Sequence, residues 1–287
     1  MKVFYHNDLD GLCSAAIVAY KYPTQMADSD FIEINYGMPF PWGILENDEE
    51  VWMVDYCLQP FHDMVQLSEK CKLVWIDHHV TAINEYNMFD KKRTKGLFIK
   101  GKREVGRAAC QLVWEYCFPN QKEPKAVTLL GRYDIWDLDQ DVLQFQMGMR
   151  LKNPAVNDMM WRTLFWPYQD IGQKRWIGDI MDKGQLILEW EKARAEEYCR
   201  AYGKELFWMG YRCAALNVGR CSSTFFDAYY NLTDYDIYIA YVRLASGKWS
   251  VSLYSERMDV GEIAKSLGGG GHKGASGFQC KNLPFEI

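Results

Sequence analysis

The stretch Val74–Val80 reads VWIDHHV, an apolar run that stops at an acid and two adjacent histidines. Its first half, residues 74–76, is typical of a buried strand, whereas Asp77, His78 and His79 carry groups that are costly to bury. The chain has five histidines, and two of them stand side by side here. We therefore expect the strand to end at the rim of the core, with its polar groups facing a shared site.

Strand-like and helix-like segments alternate around this stretch, through the first half of the chain. The strand-like segments are Lys2–Tyr5, Phe31–Tyr36, Val51–Val54 and Leu73–Ile76. The helix-like segments are Leu12–Lys21, Phe61–Lys70, Val105–Phe118 and Lys125–Arg132. Such alternation indicates βαβ units and a mostly parallel sheet.

The second half changes character. Residues 141–202 are helical in pattern, and Leu186–Tyr202 is rich in Glu, Lys, Arg and Ala, which favours a long exposed helix. The strand-like segments that follow are Arg212–Val218, Asp236–Leu244, Lys248–Tyr254 and Ala275–Cys280, with a hairpin turn at Gly247. We predict an α/β protein with a parallel-sheet N-terminal domain (1–175), a helical linker (176–204) and a smaller mixed α/β C-terminal domain (205–287).

Composition narrows the class of protein. The 287 residues carry a net charge of −5, which does not favour bulk DNA binding. The nine cysteines form no CxxC pair, so we expect reduced, mostly buried thiols rather than a zinc ribbon or a disulfide framework. The sequence shows neither a signal peptide nor an apolar run of about 18 residues, so the expected location is cytoplasmic.

Acids and histidines follow the predicted strands in order. His6, Asp8 and Asp10 follow the first strand, Asp55 follows Val51–Val54, and Asp134 follows a helix. In an open parallel sheet, ligands bind beyond the carboxyl ends of the strands, so these groups should share one crevice with the polar groups after Ile76.

The chemistry of these groups points to metal. Carboxylates gathered with imidazoles repel one another and protonate unless a cation joins them. Mixed Asp/His ligation suits Mn²⁺, Fe²⁺ or Zn²⁺, and this many ligands favours two ions about 3.5–4 Å apart that share a carboxylate. Each motif alone could be a surface turn, and Asp137, Asp139 and Asp141 are interpreted as a solvated, capping-rich segment.

A glycine-rich stretch near the C-terminus, 267–278, reads LGGGGHKGASGF. Its glycines allow backbone N–H groups to approach an anion, and His272 and Lys273 add cationic donors, so a phosphate or nucleotide cradle is favoured over a flexible hinge. Arg107 is a second phosphate candidate because a helix is expected to begin near Val105, and helix starts favour phosphate.

These motifs together resemble the DHH phosphoesterase superfamily, in the branch with a DHH-associated C-terminal domain. The matching motifs are HNDLDG (6–11), VDY (54–56), IDHH (76–79), GRYDIWD (131–137) and GGGGHKGASGF (268–278). They cover nearly the whole chain. Relatives in this superfamily include oligoribonucleases, RecJ-type exonucleases, dinucleotide phosphodiesterases and exopolyphosphatase-related proteins. Many members place the first histidine four residues before the first Asp, whereas here His6 is two before Asp8.

The resemblance implies a role for each motif residue. One Mn²⁺ would be held by His6, Asp8 and Asp55. The other would be held by Asp10, Asp55, His78 and Asp134, with Mg²⁺, Co²⁺ or Fe²⁺ as substitutes. Asp77 would orient a histidine, and His79 would face the substrate phosphate. The remaining substrate-binding residues would be Arg107, Gly269, Gly270, Gly271, His272 and Lys273, of which His272 also counts as catalytic.

The resemblance implies a phosphoesterase that cleaves phosphodiester bonds of short oligonucleotides or dinucleotides with a two-metal-activated hydroxide, the smaller domain closing over the cleft. The alternatives are a phosphatase of small nucleotides or polyphosphate, a non-catalytic nucleotide-binding module, and a metal-dependent phosphotransferase. The expected partner is a short single-stranded oligonucleotide or nucleotide, without a membrane, and with a homodimer as the alternative to a monomer.

Overall fold

The computed structural model describes the chain except residues 24–26, 93–97, 167–170, 220, 222, 232–233 and 287, and the side chains of 90–92 and 171–173. The chain divides into two compact units, Met1–Ile187 and Leu188–Ile287. The longest helix, α8 (Ile171–Tyr202), runs through this division. Of the domain limits expected from the sequence, residue 175 lies inside this helix and residue 205 lies just after it, and both limits stay predictions.

The first unit alternates strands and helices before ending in helices. Its elements are β1 (Lys2–His6), α1 (Leu9–Lys21), β2 (Phe31–Ile34), β3 (Glu50–Val54), α2 (His62–Lys70), β4 (Lys72–Ile76), α3 (Val80–Lys92), α4 (Ala109–Cys117), α5 (Lys125–Asp134), α6 (Gln140–Lys152), α7 (Met159–Phe165) and the first part of α8. The four strands form a parallel sheet in the order β2-β1-β3-β4, which confirms the predicted class of sheet.

Both faces of this sheet are buried, because alternate residues of each strand enter different cores. In β4, Val74 and Ile76 pack with α1, α4 and α5, whereas Leu73 and Trp75 pack with α2 and α3. Helices on both faces explain why the strands read as continuous apolar runs. The polar residues that follow the strands therefore lie outside both cores, at the carboxyl edge of the sheet.

Helices α6 and α8 cross closely within the first unit. A Cβ atom added at Gly148 would lie 1.9 Å from the carbonyl oxygen of Ile180, and one added at Gly184 would lie 1.8 Å from that of Gln144. Only glycine permits such an approach of two helix backbones. This crossing fixes the position of α6.

The second unit is a mixed sheet with short helices. After α8 it contains β5 (Lys204–Trp208), β6 (Tyr211–Asn217), α9 (Thr224–Asp227), β7 (Ile237–Arg243), β8 (Trp249–Tyr254), α10 (Val260–Ser266), β9 (Gly270–Gly271) and β10 (Ala275–Cys280). The strand order is β5-β6-β7-β8-β10-β9, with β6 and β7 parallel and the other pairs antiparallel. The predicted hairpin at Gly247 joins β7 to β8, and its glycine has φ +81°.

Seven of the nine cysteines are buried, and the described residues form no disulfide. Among the helices that the structure describes, none is both long enough and apolar enough to cross a membrane.

Candidate metal centre

The carboxyl edge of the parallel sheet gathers the polar residues expected from the sequence. His6 ends β1, Asp55 follows β3, and Asp77 follows β4. Asp8 is the N-cap of α1, and its Oδ1 accepts a hydrogen bond from the Gly11 amide at 2.9 Å. Asp134 is the last residue of α5. The edge therefore collects side chains from segments that are far apart in the chain.

One set of metal-binding groups surrounds Nδ1 of His6. This nitrogen lies 2.6 Å from Oδ2 of Asp8 and 3.7 Å from Oδ2 of Asp55. The other ring nitrogen, Nε2, lies 3.3 Å from Oδ1 of Asn35, and this contact favours the tautomer that leaves Nδ1 free for a metal ion. The three side chains offer ligand atoms within 4.8 Å of one another.

A second set surrounds Nε2 of His78. This nitrogen lies 3.2 Å from Asp134, 3.3 Å from Asp55 and 3.8 Å from Asp10. Asp55 thus faces both sets, with Oδ2 toward His6 and Oδ1 toward His78. The structure therefore brings together all six residues predicted to hold metal, in the two groups that the resemblance implies.

Asp55 lies at the centre of this arrangement, and both its burial and its backbone conformation are destabilising for the fold. Its carboxylate is buried, and neither oxygen has a hydrogen-bond partner among the described residues. Its backbone is left-handed, with φ +56°, which a residue other than glycine rarely adopts. A buried carboxylate that accepts no hydrogen bond is destabilising unless a cation joins it. The environment of Asp55 therefore fits a metal ion.

Asp10 serves a helix as well as the site. Its Oδ2 and Oδ1 accept hydrogen bonds from the amides of Ala109 and Cys110, both at 2.8 Å, at the start of α4. The N-cap residue, Ala108, has no side-chain acceptor for these two amides. The carboxylate of Asp10 is therefore fixed in place, while lone pairs on its oxygens remain for a cation.

The charges of the cluster are unbalanced without a cation. Burial, followed by the neighbouring carboxylates of Asp55 and Asp134, raises the pKa of Asp10 well above its usual value. Burial likewise raises the pKa of Asp55 and of Asp134. The carboxylates of Asp55 and Asp8 raise the pKa of His6 to about 10. Divalent cations would remove this repulsion and return the groups to their ligating forms.

Asp77 organises the turn after β4. It is fully buried, and its Oδ1 accepts hydrogen bonds from the amides of His78 and His79 at 2.7 and 3.0 Å. The same oxygen lies 2.7 Å from Nδ1 of His79. Burial lowers the pKa of His79, but Asp77 outweighs this effect and the pKa rises to about 9. Asp77 therefore orients His79 and favours its protonated form.

Arg107 does not occupy the position expected from the sequence. The predicted helix start near Val105 is wrong, because α4 begins at Ala109. The Arg107 guanidinium lies 2.5 Å from Glu115 and 3.8 Å from Glu104. Since two acids already engage this side chain, its predicted phosphate contact gains no support from the structure.

The glycine-rich stretch forms a tight turn in the second unit. The amide of Gly269 donates to the carbonyl of Ala264, and that of His272 donates to Ala275, so these two amides are occupied. An added Cβ would lie 2.1 Å from the Gly277 oxygen at Gly269 and 2.5 Å from the Ser276 Cα at Gly271. Gly270 has open space around it, and the side chains of His272 and Lys273 are exposed. Close strand pairing thus explains Gly269 and Gly271, and Gly270 is paired with Gly277 in the same ladder, while the exposed side chains of His272 and Lys273 remain available to a ligand.

Three groups near the site were missed from the sequence. Asn35 contacts His6 and directly follows β2, like the other polar residues at the strand ends, but the sequence analysis placed it inside the strand Phe31–Tyr36. Trp136 and Gln146 line a cavity beside the cluster. Trp136 lies within the GRYDIWD motif, two residues after Asp134, whereas nothing in the local sequence separates Gln146 from an ordinary core residue.

Comparisons with known proteins bear on this geometry. The DHHA1 domain model matches residues 221–286. A solved DHH domain, from a member of a family of ribosomal proteins, is 14% identical, with a TM-score of 0.57, over 97% of this chain and 82% of that one. The pGpG-specific phosphodiesterase PggH of Vibrio cholerae is 13% identical, with a TM-score of 0.51, over 97% of this chain and 92% of that one.

A curated relative also spans the chain. Uncharacterized protein R106 of Acanthamoeba polyphaga mimivirus is 24% identical over 311 residues, covering 99% of this chain and 69% of its own length. The solved structures share the fold across both units, and the family model identifies the C-terminal domain. The chain therefore carries a DHHA1 domain at residues 221–286, and its gathered HNDLDG, VDY, IDHH and GRYDIWD motifs are those through which it resembles the DHH superfamily.

Proposed function

We propose that this protein is a metal-dependent phosphoesterase that hydrolyses the phosphodiester bonds of short oligonucleotides or dinucleotides. The observation that carries the proposal is Asp55, a buried carboxylate without a hydrogen-bond partner among the described residues, shared by two sets of Asp and His ligands. A shared carboxylate between two such sets is typical of centres that bind two cations.

The donor atoms suit two Mn²⁺ ions, with Mg²⁺, Co²⁺ or Fe²⁺ as substitutes, because oxygen and imidazole ligands without thiolates favour these metals. His6, Asp8 and Asp55 would hold one ion, and Asp10, Asp55, His78 and Asp134 the other. When bound, the ions would activate a water molecule and neutralise charge on the phosphate.

The chain's own residues have distinct tasks in this proposal. Asp77 holds the His79 ring through Nδ1, so that Nε2 is left to donate to a phosphate oxygen or to the departing hydroxyl group. The carboxylate of Asp77 favours the protonated form of His79, which is the form that such a donor requires. In the second unit, His272 and Lys273 would bind a phosphate or nucleotide of the substrate.

The proposed substrate is short for two reasons. The structural neighbour PggH is named as a phosphodiesterase of the dinucleotide pGpG and shares the fold over 92% of its length. The net charge of −5 also disfavours a long polyanion, which basic proteins bind better. The cytoplasmic location stays a prediction, based on unpaired thiols that reducing conditions preserve. The choice between monomer and homodimer also stays a prediction.

The test is a panel of substrates with Mn²⁺. It would contain pGpG, RNA and DNA of a few nucleotides, 3′-phosphoadenosine 5′-phosphate, pyrophosphate and polyphosphate. We expect mononucleotides from the short diesters, released from an end, with linear strands cut and circular ones spared. The Asp55→Asn variant, prepared identically, is the control for contaminating nucleases and should release roughly a thousandfold less product or lower still, because a bridging ligand serves both ions.

The panel also separates the alternatives. Release of inorganic phosphate from the monoesters or anhydrides, without diester cleavage, would identify a phosphatase instead. Turnover only in the presence of a nucleotide donor would identify a phosphotransferase. Tight binding of pGpG with no turnover at any metal concentration would identify a binding module.

A further inference from the structure

A cavity of about 570 Å³ lies beside the metal centre, wholly within the first unit. Asp8, Asp10 and Asp134 line it, so it adjoins both sets of metal-binding groups. Its volume falls in the range of small-molecule sites, which is about 300–1,000 Å³, and accommodates a nucleoside. A ligand in this cavity would place an attached phosphate next to the cluster.

Trp136 lines the cavity and combines an exposed side chain with a left-handed backbone. Its side chain is 75% exposed, and its backbone is left-handed, with φ +62°. Arg132 bridges the residues after this turn, since its guanidinium contacts Asp137 at 2.6 Å and Asp139 at 2.9 Å. Exposure of a large aromatic ring to water and backbone strain are both unfavourable, and at Trp136 no packing of the ring against the described residues offsets them. The ring is therefore placed to receive a flat partner.

Gln146 of α6 contributes a polar group to the same cavity. The residue is 4% exposed, and its Oε1 has no hydrogen-bond partner in the part of the chain that the structure describes. A buried amide oxygen without a partner is destabilising, and a polar ligand group would remove this cost. The amide carries a donor and an acceptor side by side, which is the pattern that the edge of a nucleobase matches.

The charge of the cavity determines which part of a nucleotide fits. Its acidic lining residues are Asp8, Asp10, Glu33 and Asp134, and its cationic lining residue is Arg150. Away from the metal ions, this lining repels a second phosphate. A neutral ring with polar edges meets no such repulsion, and Trp136 and Gln146 both suit it.

We propose that this cavity is a nucleobase subsite, in which the indole of Trp136 stacks on the base and the amide of Gln146 hydrogen-bonds its edge. The proposal rests on the proposed function for the position of the phosphate. It deepens that function, because it makes a nucleoside next to the reacting phosphate part of what the enzyme recognises. Polyphosphate and pyrophosphate, which have no base, would leave the subsite empty.

The experiment is a calorimetric titration of the full chain, in Mn²⁺, with adenosine 5′-monophosphate and with ribose 5-phosphate. We expect the nucleotide to bind at least roughly tenfold more tightly, which stacking on an aromatic ring can supply. The Trp136→Ala variant should lose this difference and keep its affinity for ribose 5-phosphate. Gln146→Leu, which preserves the buried volume, should weaken nucleotide binding about threefold or more.

Trp190→Ala is the matched control, because Trp190 is 62% exposed and does not line the cavity. It should bind both ligands as the unaltered protein does. Equal affinities of the unaltered protein for the two ligands, or no binding of either, would overturn the subsite even if dinucleotides are hydrolysed. A base preference that depends on Trp136 in a protein that cleaves no diester would support the subsite and refute the proposed function.

Discussion

Asp55 carries a negative charge in a buried position and holds its backbone at φ +56°. The buried charge and the left-handed backbone both oppose folding, and a bound cation would offset the cost of the buried charge. We predict that Asp55→Asn leaves the metal-free protein at least as thermally stable, because the amide removes a buried charge and Asn tolerates the left-handed conformation. Mn²⁺ at about 100 times its dissociation constant should stabilise the unaltered protein by about 2.7 kcal/mol for each of the two ions, and the variant by less than half of the total.

Melting curves in a chelator and in Mn²⁺ measure both effects. The matched control is Asp48→Asn, since Asp48 also has a positive φ, of 61°, but is exposed and outside the candidate site. It should respond to Mn²⁺ as the unaltered protein does. A full Mn²⁺ response in Asp55→Asn would show that this residue does not bridge two ions.

Asp77 gives a second prediction at this scale. Its Oδ1 holds two backbone amides and the His79 ring, and none of these contacts uses a metal. Asp77→Asn retains an oxygen for the amides but loses the charge that raises the pKa of His79. We predict that kcat for a dinucleotide falls about 10–100-fold while two metal ions still bind. A variant that loses its metal would place Asp77 among the ligands instead.

Individual site residues were predictable where a strand pattern stops at a charge. Asp55, Asp77 and His78 follow apolar runs directly, so their position at the sheet edge follows from the sequence. The double role of Asp10 could not be predicted from the sequence, because the amides that donate hydrogen bonds to its carboxylate are 99 and 100 residues away. The same distant contact explains the wrong helix start near Val105, since the cap of α4 comes from another segment.

At the scale of elements, the crossing of α6 and α8 depends on two glycines. An added Cβ at Gly184 would lie 1.8 Å from a backbone oxygen, which cannot move as a side chain could. We predict that Gly184→Ala lowers the free energy of unfolding by about 1–3 kcal/mol. The control lies in the same helix, because a Cβ at Gly178 would meet nothing within 4 Å.

Gly178→Ala should raise the free energy of unfolding by roughly 0.5–1 kcal/mol, because alanine is the better helix former. Urea unfolding of the two variants gives the comparison. Equal stability changes would show that the crossing is looser than these distances indicate.

Elements with regular patterns were predicted to within a few residues, as β1, β3 and β4 show. The helix α10 was missed although Asp259 and Glu262 provide a start signal, and Asp259 does cap it by accepting from the amides of Gly261 and Glu262. The strand β5 was missed because its residues do not alternate between buried and exposed. The two-residue strand β9 exists only through its pairing with β10, which no local pattern records.

At the scale of the whole molecule, the candidate metal ligands and the DHHA1 domain lie in different compact units. The six predicted metal ligands lie in Met1–Ile187, together with His79, which the structure groups with Asp55 and His78, whereas the DHHA1 domain lies in Leu188–Ile287. Metal binding stabilises the state that holds the ligands in place, and it acts on the segments that carry them. Metal and nucleotide should therefore leave different signatures along the chain.

Hydrogen exchange measured by mass spectrometry can record these signatures. We predict that Mn²⁺ alone slows exchange in the segments around Asp8, Asp55, His78 and Asp134, and leaves residues 221–286 unchanged. Addition of a slowly hydrolysed phosphorothioate dinucleotide should then slow exchange at residues 268–277, because ligand binding suppresses local opening of that turn. His272→Ala should lose the second effect and keep the first. Protection of the glycine-rich turn by Mn²⁺ alone would mean that this turn responds to the metal and not to the nucleotide, and the proposed substrate-binding role of His272 would be wrong.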